Sequence, residues 1–120
     1  MTSVTNVASG HQRAEEWSLV YHRAVAELLV GSPEPVLSRA RRNLARLAAR
    51  HHGGARRYLD RWNVLVNGPR EDLIAALTGE GEAERDLRQC SPFAGVLTPA
   101  ERWRLFRLWR EERGRTRATR

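Results

Sequence analysis

Histidine, cysteine and carboxylate side chains carry most acid–base, nucleophilic and metal chemistry, and this sequence holds few of them in a useful register. His51 and His52 are adjacent. Neighbouring positions on a helix point apart, so the two do not form a ligand pair. Their place just before Gly53-Gly54 instead suits a histidine at the negative end of a helix dipole. His22 stands beside the apolar positions Val20, Tyr21, Ala24 and Val25, and is read as a partly buried polar group. Cys90 is the only cysteine, with no histidine close to it in sequence, and is expected to be a buried structural thiol. Glu71, Asp72 and Glu101 fall at helix starts, and Glu84, Glu111 and Glu112 lie beside arginines, which are capping and ion-pair positions. No phosphate-binding loop, dinucleotide fingerprint, serine elbow or zinc spacing is present. The expectation is a binding protein rather than an enzyme, without metal or cofactor.

What remains is arginine. All 21 basic residues are arginine, none is lysine, and the net charge is +7. Guanidinium groups fork onto phosphates and carboxylates and stack on aromatic rings. Two clusters stand out. Arg39, Arg42, Arg46 and Arg50 recur at helical spacing and, with Arg115, Arg117 and Arg120 near the C-terminus, are candidate contacts to nucleic-acid phosphates. Asn43 is the one amide beside them that could read a base. The second cluster mixes arginine with aromatic residues near the end of the chain. Arg107, Arg110, Arg113 and Trp109, together with Phe93, are candidates for a protein partner's surface, where tryptophan and arginine are the usual anchors. Trp103 and Phe106 are expected to be in the core.

The elements that must position these residues all read as helices. Trp17, Val20, Tyr21, Ala24, Val25, Leu28 and Leu29 make an apolar stripe over about His11–Val30, ended by Gly31-Ser32-Pro33-Glu34-Pro35. A second helix from near Pro35 buries Val36, Leu37, Ala40, Leu44 and Leu47 and stops at Gly53-Gly54. Further helices are expected over about 55–66, from Pro69 to Gly79, and over 82–89. Thr98-Pro99-Ala100-Glu101 has the form of a capping box and opens a last helix to about Arg113. The segment from Cys90 to Leu97 is an apolar loop. The expected fold is therefore all-α: a single small domain of about five to six helices over residues 11–113. A disordered N-terminus over 1–10 and a basic flexible tail over 114–120 flank it.

Composition agrees. One hundred and twenty residues suit one domain, and 41% hydrophobic content supplies one modest core. No apolar run is long enough to span a bilayer, and the N-terminus has no secretory pattern, so a cytoplasmic location without membrane association is expected. A single cysteine fits a reducing compartment.

The run Leu87-Arg88-Gln89-Cys90-Ser91-Pro92-Phe93-Ala94-Gly95-Val96-Leu97, followed by Pro99-Ala100-Glu101-Arg102-Trp103, resembles a pattern in short, uncharacterised actinobacterial helical proteins. The likeness extends over most of residues 14–112. It includes the Trp62 region, the helix after Gly68-Pro69 and the opening from Ser18 to Ala26. Genes of that kind tend to lie beside nucleotidyltransferase-like proteins, as in toxin–antitoxin pairs. The resemblance thus implies an antitoxin that binds and neutralises a nucleotidyltransferase-like toxin and represses its own operon. The alternative is a stand-alone basic DNA-binding transcriptional regulator. The resemblance assigns no functional residues.

Overall fold

The structure, a computed structural model, describes the backbone of residues 2–118 and the side chains of residues 10–116. Among these it contains six helices and no strand: α1 (Thr2–Gly31), α2 (Pro33–Arg50), α3 (Arg56–Val66), α4 (Arg70–Thr78), α5 (Glu82–Gln89) and α6 (Pro99–Ala118). The fold is all-α, as the periodicity predicts. No helix among the described residues is long and apolar enough to cross a membrane.

Three boundaries differ from expectation. Helix α1 starts at Thr2 rather than near His11. The expected disordered segment falls mainly on residues whose side chains lie outside those described. At the next junction Ser32 alone separates two helices, because Pro33 and Pro35 both sit in the first turn of α2, where a missing N–H costs nothing. At the far end α6 does not stop near Arg113 but runs to Ala118, through most of the expected flexible tail. One glycine costs a helix about 1 kcal/mol, too little to end it when arginine, threonine and alanine follow. Arg120 lies outside the described residues, as does the side chain of Arg117.

The core is one cluster drawn from the second half of α1 and from α2, α3 and α4. Val25, Leu29, Ala40, Trp62, Leu77 and Phe93 at its centre are fully buried. Three side chains tie the short elements to it by hydrogen bonds to backbone carbonyls. The Trp62 indole N–H donates to the Leu87 carbonyl at 2.8 Å, anchoring α5. The buried Arg88 guanidinium donates to the carbonyls of Ala76, Leu77 and Gly79 at 3.2, 3.4 and 2.6 Å. It thereby satisfies acceptors that the end of α4 leaves without helical partners. Arg56 reaches back to the Ala48 carbonyl near the end of α2 at 3.2 Å.

The loop between α5 and α6 folds inward. Phe93 is completely buried and meets the Trp62 ring edge-on at 5.4 Å. Its neighbours' carbonyls are taken up individually. Asn43 Nδ2 donates to Pro92 O and Ala94 O at 2.7 and 2.9 Å, and the Tyr21 hydroxyl donates to Phe93 O at 2.7 Å. Gly95 turns the loop at φ +79°, with the Arg39 guanidinium lying where a side chain would stand. Only glycine enters that conformation cheaply.

After the loop, the predicted capping box forms. Glu101 accepts from the Thr98 N–H at 2.9 Å, and Thr98 Oγ1 accepts from the Glu101 N–H at 3.1 Å. Hydrogen bonding to its carboxylate, from the Thr98 N–H first and then from the Thr98 side chain, holds Glu101 below its usual range. Helix α6 then runs out antiparallel to the first half of α1, so that residue 102 stands near 21, residue 109 near 17 and residue 113 near 16.

Candidate functional site

The sequence offers two candidate surfaces and one hidden pair of reactive groups. The pair is His22 and Ser91, 69 residues apart. His22 Nδ1 lies 2.6 Å from Ser18 O, and Nε2 lies 2.7 Å from Ser91 Oγ. The carbonyl can only accept, so Nδ1 carries the proton and Nε2 accepts from the serine hydroxyl. Ser91 Oγ in turn accepts from the Phe93 N–H at 3.1 Å. This has the connectivity of a nucleophile, a base and an orienting group. Its electrostatics are wrong for that use. Burial pushes His22 down to about 4, and the nearby Arg88 cation acts in the same direction. A base that removes the serine proton must become an imidazolium, and these surroundings penalise that ion. The pair, a buried histidine and a half-buried serine, is a hydrogen-bonded latch that fastens the loop to α1.

The α2 arginines do not form one uniform row. Arg42, Arg46 and Arg50 are exposed, whereas Arg39 is half-buried and its Nε has no hydrogen-bond partner among the described residues. Arg39 and Arg42 line a hollow of about 320 Å3 with Ser32, Gly95 and Val96. Arg46 and Arg50 line another of about 250 Å3 with Ser91 and Ala94. The row therefore straddles the inward-folded loop. Asn43, the one candidate base reader, is buried; it holds the loop carbonyls and accepts from Arg46. It cannot reach a base edge from there. Arg115 lies on α6 within ion-pair range of Glu112, 4.0 Å away, apart from the α2 row.

The second surface is the arm formed by α1 and α6. Trp17 packs edge-on to Phe106 at 5.1 Å and against Trp109 at 5.6 Å. Arg113 pairs with Glu16 and lies over the Trp109 ring at 5.3 Å. Arg110 lies over Phe106 at 5.9 Å. A groove of about 610 Å3 runs along this junction, with Trp17, Phe106 and Trp109 as its floor and Arg13, Arg110 and Arg113 on its rim. Elsewhere on α6, Trp103 is 59% exposed beside the seam, and Leu108, about 140° further round the helix, is 55% exposed.

Three expectations about aromatic residues reverse; Phe106, expected in the core, is half-buried along the groove between α1 and α6. Phe93, expected at a partner surface, is a core residue because its loop carbonyls find buried donors only when the ring points inward. Trp103, expected in the core, stacks flat on Phe106 with its other face in solvent, at 5.9 Å and 24°. Trp109, Arg110 and Arg113 do come together, and Arg107 is exposed on the same helix. Sequence reasoning missed Arg13 and Trp17 as the opposite side of the groove. Trp17 heads the apolar stripe of α1, which was its only signal. No family model, curated protein or solved structure matches the chain.

Proposed function

We propose that this chain is a regulatory binding protein and not an enzyme: the antitoxin of a pair, docking on a nucleotidyltransferase-like toxin through the arm of α1 and α6. The observation that carries the docking reading is the exposure of Trp103 and Leu108 on a helix packed mainly on α1, with arginines around them. Tryptophan and arginine dominate interface energetics, and a large apolar side chain left in water gains most from being covered. The choice of a nucleotidyltransferase-like partner rests on the resemblance of the Leu87–Trp103 segment.

The test is co-expression with the product of the neighbouring gene, which this reading expects to be nucleotidyltransferase-like. The expected result is a stoichiometric complex on gel filtration and relief of growth arrest. Trp103→Ala with Leu108→Glu should weaken the complex by at least about tenfold. Removal of residues 110–120 should weaken it while the remaining bundle keeps its helical circular dichroism. Full neutralisation by both variants would sink the arm as the docking face.

The exposed Arg42, Arg46 and Arg50 on α2 favour a second role, binding of operator DNA for autorepression. Phosphate contacts release counterions, so affinity for promoter duplex should fall steeply with salt. A flat salt dependence would remove this role and leave the first untouched.

A further inference from the structure

We propose that the groove between the first half of α1 and the second half of α6 seats one acidic amphipathic helix of the partner. This inference rests on the docking reading above and names the chemistry of the occupant. Two antiparallel helices in contact leave a furrow that a third helix completes by packing its ridge between them. Here the furrow has an aromatic floor, Trp17, Phe106 and Trp109, and holds about 610 Å3, room for several apolar side chains. Its side is open to a close backbone: a Cβ added at Gly114 would meet nothing within 4 Å.

Charge selects the occupant. Of the three rim arginines, Arg113 already has Glu16. Among the described residues neither Arg13 nor Arg110 has a carboxylate partner. The groove thus offers apolar floor and two unmatched guanidinium groups, and forked carboxylate pairing is the chemistry that matches them. A second copy of this chain laid face to face would bring the same arginines against each other. The phosphates of duplex DNA would meet the rim, but its paired and stacked bases would leave the aromatic floor uncovered. An apolar stripe flanked by aspartate or glutamate satisfies both.

The test uses the full chain and a fluorescein-labelled peptide of about five helical turns, with leucine at three- and four-residue spacing and glutamate on both flanks. Its control replaces every glutamate by lysine. The glutamate peptide should bind at least about tenfold more tightly by fluorescence anisotropy. Arg13→Glu with Arg110→Glu should reverse that preference. Gly114→Leu fills the furrow without touching the fold and raises helix propensity, so it should abolish binding with no fall in melting temperature. Failure of the glutamate peptide to bind, equal affinity for the two peptides, or binding indifferent to Gly114→Leu would overturn the proposal. So would a dimer of the chain alone that Gly114→Leu dissociates, or tighter binding of duplex DNA lost in the same variant. If the partner complex still depends on Trp103 and Leu108 while the peptide results fail, docking stands and the groove is not its seat.

Discussion

Trp62 and Trp103 sit in the two halves of this molecule and show how differently those halves are built. Trp62 is sealed in the bundle, with its ring against Phe93 and its N–H on a carbonyl of α5. Trp103 lies against one ring on one side and water on the other. The bundle half uses His22, Asn43, Trp62 and Arg88 to fasten one element to another. The arm half stacks three tryptophans and a phenylalanine along a single helix–helix seam and surrounds them with arginine. Stability resides in the first, and the docking surface we propose resides in the second.

Substitution should make that contrast measurable. Trp62→Ala removes a fully buried ring and its hydrogen bond and should cost about 3–5 kcal/mol, read by denaturant melts. A loss under about 1 kcal/mol would mean that the bundle is not the stable half. Acid should act on the bundle next. His22 has its folded value depressed to about 4 from an ordinary 6.5, so the unfolded chain binds more protons between those values. Stability is complete above about pH 6.5 and falls as the pH drops toward 4, by about 3 kcal/mol for this group. The wild type should lose that much more than His22→Gln over the same window; parallel curves would remove the latch from the account. Asn43→Ala strands two loop carbonyls and should cost about 1–3 kcal/mol, read in the same melts. Trp103→Ala should change stability by no more than about 0.5 kcal/mol while it weakens partner binding. An equal loss at Trp62 and Trp103 would erase the distinction between the halves.

Much of the bundle is legible in local sequence. Gly79 and the Thr98-Pro99-Ala100-Glu101 box mark their helix ends because caps and breakers act within a turn of where they stand. The site is less legible because it depends on distant partners. Nothing near Phe93 says whether an apolar loop folds in or out; Tyr21, Asn43 and Trp62 decide it, from 31 to 72 residues away along the chain. The histidine–serine latch is hidden for the same reason. Trp103 shows a different limit. Its three-residue spacing from Phe106 places it beside the apolar stripe, but spacing reports the side of a helix and not how far the neighbouring helix covers it. Trp109 and Arg113 were recognised as surface candidates, while Trp17, nearly ninety positions upstream of Phe106, could be joined to them only by the fold.

Helix α1 belongs to both halves: Val25 and Leu29 lie in the core, and Trp17 lies in the arm's seam. When α6 detaches, therefore, the bundle need not open, since the buried residues of α1 lie beyond the point of separation. Amide hydrogens of α6 should exchange with deuterium through an opening much cheaper than global unfolding, and protease should cut there first. A partner that clamps the seam would raise protection in α6 and in the first half of α1 together, and would leave the exchange of Leu29 and its neighbours almost unchanged.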